Sequence, residues 1–282
     1  YAGEQDSSVF RAAAGEPWDK FVDFTVRKNC AGLECLSGIP GSVGGTPVQN
    51  VGAYGQEVSQ TISSVRVLEI ASGAVQELSR EECEFGYRNS IFNTSARRRY
   101  IVLSVTYKLK QNGQPTLGYV DLKNYFADAD HPPSLAQVRE AVLSIRRRKA
   151  MLIVPGDEDC RSAGSFFKNP LVRSTEAERI QGLAQERVPG KALPQFPGEN
   201  GMLKLSAAWL VEQSGFAKGY TCGPVGISRR HALAIVNRGG AKARDVLALK
   251  DEVQQKVFDT WGVRLQPEPE FVGFNLESAQ AG

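Results

Sequence analysis

A single hydroxyl, that of Ser165, lies at the edge of an apolar step in the segment SAGSFFKNP, residues 162–170. A glycine precedes it, two phenylalanines follow it, and Asn169 and a proline end the segment. Taken alone, Ser165 is consistent with a turn serine before a buried strand or with a proton donor. A serine hydroxyl is a poor acid in water, so proton donation would require a dry, electropositive pocket.

A second stretch that could bind a ligand is SGIPGSVGGTPVQNVGAYGQE, residues 37–57, which holds six glycines among 21 residues and few charges. Glycines let a backbone approach a ligand closely, and exposed N–H groups can form an anion-binding nest. The stretch lacks the G-K-[ST] ending of a Walker A loop and the G-x-G-x-x-G turn of dinucleotide-binding folds. Its composition leaves both simple turns and a phosphate cradle open.

Charge and residue usage exclude several classes of protein. The net charge of +3 and the basic runs RRR (97–99) and RRRK (146–149), which lack interleaved aromatics, do not predict nucleic-acid binding. RRRK ends a predicted helix, where the dipole favours cations, so a solvated helix end is favoured over an anion site. Five irregularly spaced cysteines without C-x-x-C predict reduced thiols, and two histidines exclude a His-rich metal site.

Hydropathy predicts neither a membrane span nor a leader. No run of about 18 apolar residues is present, and the N-terminal stretch has no apolar signal-peptide region. We therefore expect a cytoplasmic protein that binds neither membrane nor nucleic acid, and the oligomeric state is not predicted.

The elements that must position these segments follow from periodicity. Alternating residues predict a hairpin over 63–78 turning at Ser72-Gly73 and a strand over 98–110. Apolar stripes predict helices, the first capped by Ser134, and short apolar runs predict further strands. The helices are expected at 134–149, 176–186, 204–215 and 243–262, and the strands at 231–237 and 270–276. The pattern predicts an α+β chain with a boundary near residue 150.

Four segments in order make the sequence recognisable: GIPGSVGGTPVQNVGAYGQE (38–57), FGYRNSIF (85–92), AGSFFKNP (163–170) and LQPEPEFVG (265–273). Together they resemble the UDP-N-acetylenolpyruvoylglucosamine reductase family over essentially the whole chain. The resemblance implies an FAD-binding domain of the vanillyl-alcohol-oxidase (PCMH-like) type over 1–150 and an α+β UDP-sugar substrate-binding domain over 151–263. It also implies that a C-terminal strand within 264–282 returns to the FAD-binding domain.

The same resemblance implies an activity. The family uses FAD and NADPH to reduce the enolpyruvyl ether of UDP-N-acetylglucosamine enolpyruvate, giving UDP-N-acetylmuramate for peptidoglycan, and thereby serves cell shape and division. Its catalytic residues match Arg88, Ser165 and Glu268, with Glu270 as the competing carboxylate across Pro269. Without the family, Arg88 would be read as a surface salt bridge.

Binding residues are implied in the same way. The positions matching the family's FAD contacts are Pro40, Gly45, Val48, Val51, Gly52, Tyr54 and Ile101. The positions matching its sugar-nucleotide contacts are Tyr119, Lys149, Asn169, Lys218 and His231. His231 could equally be a strand-edge residue. Phe196 stands where some relatives place an aromatic hydroxyl that contacts UDP. A phenylalanine there could keep the stacking contact but could not make the hydrogen bond.

One departure from the family concerns the N-terminus. Members begin with a subdomain whose GGGSN-like loop holds the FAD diphosphate, whereas this sequence starts at a segment resembling the strand and helix after that loop. We expect that the N-terminal FAD-binding subdomain is missing from the sequence. The alternatives to the reductase are an inactive remnant or non-catalytic UDP-sugar-binding protein, and another FAD-dependent oxidoreductase.

Overall fold

The computed structural model describes residues 7–274 of the chain. The chain divides into two compact units, Tyr1–Leu152 and Ile153–Gly282. Each unit buries its own hydrophobic core, with Trp18 and Tyr107 in the first and Trp261 in the second. The described residues mix helices and sheets, as the α+β prediction requires.

An antiparallel sheet forms the first unit's framework. Its order is β1-β7-β5-β6, with β2 also paired to β7. The strands are β1 (Ser7–Ala13), β2 (Cys30–Ala31), β5 (Ile62–Glu69), β6 (Val75–Ser79) and β7 (Tyr100–Gln111). Val65, Val105 and Tyr107 are completely buried, because alternate residues of β5 and β7 face the core. The predicted hairpin and the predicted strand are confirmed.

Three helices accompany this sheet: α1 (Trp18–Arg27), α2 (Val120–Tyr125) and α3 (Leu135–Arg148). The Ser134 hydroxyl caps α3 by accepting a bond from the Gln137 N–H at 3.3 Å. Val138, Val142 and Ile145 of α3 are buried on one face. The predicted cap and apolar face of this helix are therefore confirmed.

The glycine-rich stretch lies between β2 and β5. It contains a short 3-10 turn at Val43–Gly45 and a small hairpin of β3 (Gly52–Ala53) and β4 (Gln56–Glu57), and another 3-10 turn, Glu34–Leu36, lies just before it. The stretch is thus an ordered loop held at both ends by sheet strands.

Between residues 153 and 274, the second unit contains two three-stranded antiparallel sheets and three α-helices. Their bounds are β8 (Leu171–Val172), α4 (Ser174–Arg187), β9 (Gln195–Pro197), β10 (Leu203–Leu205), α5 (Ala207–Glu212), β11 (Thr221–Cys222), β12 (Val225–Ile227), β13 (Ile235–Asn237) and α6 (Ala243–Trp261). The sheets run β8-β10-β9 and β11-β12-β13. The apolar stripe predicted for α6 consists of Val246, Leu249, Val253, Val257 and Trp261; the last four are buried, and Val246 is half-buried.

Two predicted elements of this unit are shorter than expected. The segment 204–215 begins as strand, because Leu203 pairs with both Val172 and Pro197. The helix starts only after Ser206, whose hydroxyl accepts from the Trp209 N–H. The segment 231–237 forms strand only from Ile235, since the Ala234 N–H bonds back to the His231 carbonyl in a turn.

The predicted strand over 270–276 is wrong for its described part. Residues 270–274 form no strand, and residues 275 and 276 lie outside the described residues. Pro267 and Pro269 lack the N–H groups that a ladder needs, and Gly273 has a φ of +84°. Residues 266–268 bond instead to Phe166 and Lys168 of the same unit. A return of this segment to the first domain stays a prediction.

Candidate functional site

One side of the glycine-rich loop packs tightly and the other is open. A Cβ on Gly44 would lie 2.5 Å from Ala14 Cβ, and the Gly44 N–H donates to the Ala14 carbonyl at 2.9 Å. A Cβ on Gly41 or Gly45 would meet nothing within 4 Å. The loop therefore exposes bare backbone on the side away from the sheet, where a flat ligand could approach closely.

The predicted FAD-binding positions divide between these two sides. Pro40 and Gly45 are exposed, whereas Val48 and Val51 pack against the first unit's core. Ile101 lies on β7 opposite Leu68 and is 50% exposed. The predicted FAD-binding positions other than Ile101 thus lie on the glycine-rich loop, whereas Ile101 lies on the neighbouring sheet.

Arg88 is held against this loop. It occupies a tight turn closed by mutual backbone bonds between Gly86 and Asn89 at 3.1 Å, and its φ of +54° is unusual for a non-glycine residue. Its Nη2 donates to the Gly52 carbonyl at 2.7 Å. Its guanidinium also lies 5.4 Å from the ring centroid of Tyr87. The Arg88 guanidinium is therefore half-buried and donates to a backbone carbonyl of the loop.

Asn50 connects the Arg88 turn to the loop, and the sequence reasoning missed it. Its Nδ2 donates to Glu57 Oε2 at 2.9 Å and to the Gly86 carbonyl at 3.0 Å, while its Oδ1 accepts from the Ser59 N–H. Asn50 is buried and has a φ of +46°. Strained, over-determined residues of this kind cluster at functional sites. An asparagine between glycines and valines, within VQNVG, was the available signal.

Two predicted tyrosines meet on the same unit. The rings of Tyr54 and Tyr119 lie 5.5 Å apart, edge to face at 87°. Burial raises the pKa of the Tyr54 phenol to about 12, although a nearby arginine, Arg146, opposes the shift through its charge and a hydrogen bond. Burial also raises the pKa of the Tyr119 phenol. Both phenols therefore stay neutral hydrogen-bonding groups at physiological pH.

The basic end of α3 is only partly solvated, which corrects the reading of RRRK as a helix end in water. Arg146 lies four residues after the buried Val142, so it shares the inner face, and its Nη2 donates to the Met151 carbonyl at 2.6 Å. Arg147 and Arg148 are exposed. Lys149, a predicted substrate residue, pairs with Asp121 at 2.7 Å. A lysine engaged by a carboxylate would have to exchange that partner to bind phosphate.

In the second unit, Phe166 joins three segments that carry predicted residues. Its N–H donates to the Leu233 carbonyl at 2.7 Å, and its carbonyl accepts from the Glu268 N–H at 2.8 Å. The Leu233 N–H in turn donates to His231 Nδ1 at 3.1 Å. These hydrogen bonds, together called the Phe166 ladder below, bring together the backbones around Ser165, His231 and Glu268.

The two competing carboxylates, Glu268 and Glu270, have different surroundings. Glu268 is half-buried and bonded through its N–H to Phe166, the residue after Ser165, whereas Glu270 is exposed. The Phe166 ring meets that of Phe167 edge to face and that of Phe271 at a tilt, with ring centroids 5.5 and 6.2 Å apart. Ser165 is half-buried, and the two residues that follow it are buried phenylalanines.

The remaining predicted substrate residues surround α5. Asn169 Oδ1 accepts from the Ala207 N–H at 2.9 Å, at the first turn of this helix. Lys218 Nζ lies 4.0 Å from Glu212 Oε1. Phe196 is 42% exposed on β9. The Asn169 carbonyl oxygen is thus committed to the fold, and its amide NH₂ is the group suited to bind a ligand.

His231 follows an arginine that is held by acidic residues. Arg230 forms ion pairs with Asp157 and Asp159, and Ser228 Oγ accepts from the His231 N–H at 3.3 Å. Because His231 Nδ1 accepts from Leu233, the neutral ring carries its proton on Nε2. A cavity of about 400 Å³ lies beside this turn, lined by residues 156–159 and by Arg229 and Arg230.

Within residues 7–274 no three or more His, Cys, Asp and Glu side chains cluster as a metal site would require. In the same part of the chain, no helix has the length and apolar character needed to cross a bilayer. All five cysteines are free.

Comparisons with known proteins agree along the whole chain. Residues 155–272 match the C-terminal domain of UDP-N-acetylenolpyruvoylglucosamine reductase, and residues 3–79 match an FAD-binding domain. The reductase of Thermobifida fusca is 46% identical over 280 residues, which cover 97% of this chain and 78% of the relative. That of Mycobacterium tuberculosis strain H37Rv is 44% identical over 278 residues, covering 96% and 75%.

A solved structure agrees as well. The crystal structure of UDP-N-acetylenolpyruvylglucosamine reductase from Thermus caldophilus superposes with a TM-score of 0.60 at 27% identity. The superposition covers 93% of this chain and 71% of that one.

Proposed function

Because this chain belongs to the UDP-N-acetylenolpyruvoylglucosamine reductase family, we propose that it reduces UDP-N-acetylglucosamine enolpyruvate to UDP-N-acetylmuramate in peptidoglycan biosynthesis. It is an oxidoreductase, a UDP-N-acetylmuramate dehydrogenase, that uses FAD and NADPH. The Phe166 ladder is the main support for the residue assignments, because it brings the segments of Ser165, Glu268 and His231 together within one unit. We further assign the reaction to the cytoplasm and expect its loss to impair cell shape and division.

The glycine-rich loop fits a flavin. Gly41 and Gly45 present backbone to open space, and Val48 and Val51 supply an apolar backing from the core. Pro40, Gly45, Gly52 and Tyr54 of this loop would hold the cofactor, together with Ile101 of β7. When bound, FAD accepts a hydride from NADPH and supplies it to the enolpyruvyl double bond.

Arg88 is suited to stabilise the charge that reduction creates. Reduction at the terminal enolpyruvyl carbon leaves negative charge on the neighbouring carbon and its carboxylate. A cation that is already fixed lowers this barrier without having to reorganise. The bond from Arg88 Nη2 to the Gly52 carbonyl fixes the guanidinium before substrate binds.

Ser165 is assigned as the proton donor. Its O–H bond breaks as a C–H bond forms at the carbon beside the carboxylate, and water returns a proton to the oxygen. Ser165 is half-buried and precedes two buried phenylalanines, and a site shielded from water would favour transfer from the hydroxyl. Glu268, whose N–H bonds to Phe166, is the carboxyl that lies closest along the ladder and is preferred over Glu270.

The sugar nucleotide is assigned to a set of polar groups. In the second unit these are the Asn169 amide, the Lys218 ammonium and the His231 Nε2–H, which are donors suited to phosphate and carbonyl oxygens. In the first unit they are Tyr119 and Lys149. A non-catalytic UDP-sugar-binding protein is not favoured, because residues 3–79 match an FAD-binding domain and the catalytic positions are retained.

The Ser165→Ala variant tests the function and the assignment together. In rapid-mixing experiments, NADPH should reduce the bound flavin at the wild-type rate, because no substrate proton moves in that step. Reoxidation by the enolpyruvyl sugar nucleotide should slow by about 10²–10⁴-fold, the usual contribution of a positioned acid.

Ser162→Ala is the matched control, since Ser162 lies in the same segment and its hydroxyl accepts only a local bond from the Gly164 N–H. It should leave both half-reactions near wild type. Equal losses in both half-reactions of Ser165→Ala would overturn the role of Ser165. A full-length protein that binds the sugar nucleotide but never binds FAD would overturn the function.

A further inference from the structure

A buried carboxylate in the first unit links segments that the sequence leaves far apart. Glu34 is completely buried. Its Oε2 accepts from the Gly32 N–H at 2.7 Å, and its Oε1 accepts from Gln56 Nε2 at 2.7 Å and from the Thr116 N–H at 2.9 Å. The carboxylate therefore holds three donors from three parts of the chain.

Gln56 completes the connection. It is 2% exposed, its Oε1 accepts from the Cys35 N–H at 2.8 Å, and its Nε2 also lies 3.2 Å from Thr116 Oγ1. The Cys35 thiol donates to the Thr116 carbonyl at 3.3 Å. Glu34, Gln56 and Thr116 together are called the buried anchor below.

The anchor is not what a core position requires. Leu33 and Leu36 on either side are buried apolar residues, and a leucine at position 34 would avoid the cost of desolvating a charge. Hydrogen bonds to a carboxylate are directional, so they fix the register of the segments that donate them. The benefit of Glu34 is therefore a defined placement of Gln56 and Thr116.

Gln56 and Thr116 each lie within three residues of a tyrosine of the candidate site. Tyr54 is two residues before Gln56, and Tyr119 is three residues after Thr116. An extended chain spans at most about 3.3–3.6 Å per residue, so neither ring can lie far from its anchored neighbour. The edge-to-face contact of the two rings at 5.5 Å is the arrangement that results.

We propose that the buried anchor is a positioning device that sets the place of Tyr119 for the sugar nucleotide. The substrate part of this inference rests on the proposed function. Glu34 and Gln56 contact no reactant themselves and act through the segment that ends at Tyr119. Loosening the anchor should therefore weaken substrate binding.

The experiment uses Gln56→Met, which keeps the length of the side chain and removes the bonds to Glu34, Cys35 and Thr116. Gln111→Met is the matched control, because Gln111 also makes three side-chain bonds, to Ser8, Cys30 and Lys28, in the same unit. Both proteins are labelled with 3-fluorotyrosine, and the Tyr119 resonance is identified by its loss in Tyr119→Phe.

We expect Gln56→Met to shift or broaden the Tyr119 fluorine resonance without any ligand and to raise the KM for the enolpyruvyl sugar nucleotide about tenfold. Gln111→Met should change neither. If Gln56→Met does not fold, Thr116→Val keeps the backbone bond to Glu34, removes only the hydroxyl, and should show the same changes at smaller size.

An unchanged Tyr119 resonance in a folded variant would overturn the anchor. A shifted resonance with an unchanged KM would overturn its role in substrate binding. If the wild-type protein does not turn over the sugar nucleotide, the proposed function fails, and the resonance alone still decides whether the anchor places Tyr119.

Discussion

Gly44→Ala tests how the glycine-rich loop is attached to the sheet. The new Cβ would lie 2.5 Å from Ala14 Cβ, about 0.9 Å closer than the 3.4 Å at which ordinary contact begins. The two backbones must separate, and the bond from the Gly44 N–H to the Ala14 carbonyl stretches with them. Overpacking costs about 1–3 kcal/mol and a weakened hydrogen bond about 1 kcal/mol, so we expect a loss of about 2–4 kcal/mol.

Gly45→Ala is the matched comparison from the next position. The φ of Gly45 is not in the left-handed region, and its Cβ would meet nothing within 4 Å. The free energy of unfolding should therefore stay constant or rise by about 0.4–1 kcal/mol. The methyl group would project toward the side assigned to FAD, and there a loss of about tenfold in FAD affinity is expected.

Thermal unfolding of the cofactor-free proteins and titration with FAD measure the two effects separately. For a unit of this size, 1 kcal/mol shifts Tm by about 2–4 °C, so Gly44→Ala should lower Tm by about 4–16 °C. A Gly44→Ala protein as stable as wild type would refute the packing of the loop on Ala14. A Gly45→Ala protein that binds FAD normally would refute the assignment of the open side.

Two further predictions concern charged side chains of the first unit. Arg88→Ala should slow reoxidation of the flavin by substrate about 10²–10³-fold, as expected for loss of a fixed cation, with FAD content unchanged; the reverse pattern would assign Arg88 to the cofactor. Burial raises the pKa of Asp19, but bonds from Arg139 and the Gly38 N–H outweigh it, so the net pKa lies below its ordinary value. Asp19 therefore stabilises the fold above an unfolded-state pKa of about 3.9, and this stabilisation is lost as the pH falls through the folded-state pKa. The urea midpoint should fall between pH 6 and pH 3 by less in Asp19→Asn than in wild type, and equal falls would contradict this role.

Local patterns were sufficient for the longer elements. The β5–β6 hairpin and helices α3 and α6 were predictable because alternation and the i, i+3, i+4 spacing depend only on neighbouring residues. The strand β10 was not, because Leu203 also pairs with Val172, which lies 31 residues earlier and is outside any local pattern. The apolar run at 270–274 led to a wrong strand prediction, because the two prolines just before it lack the N–H groups that pairing with another strand requires.

Candidate site residues came from motifs, whereas other residues near them are visible only through contacts in the folded chain. Arg88 and Ser165 belong to short recognisable segments. Glu34, Gln56 and Asn50 act through partners that only folding brings close, such as the bond from Gln56 to Thr116 across 60 residues. Arg146 was read with its basic neighbours, although its position on the inner face of α3 gives it a different environment from Arg147 and Arg148.

The Phe166 ladder has a consequence for the order in which the second unit folds. Phe166 bonds to Leu233, 67 residues later, and to Glu268, 102 residues later. Contacts across such separations carry a large loop-closure entropy and form late relative to local helices. During synthesis, the surroundings of Ser165 therefore stay incomplete until the last part of the described chain has left the ribosome. A nascent chain that stops before residue 268 has its helices but lacks one of the two segments that bond to Phe166.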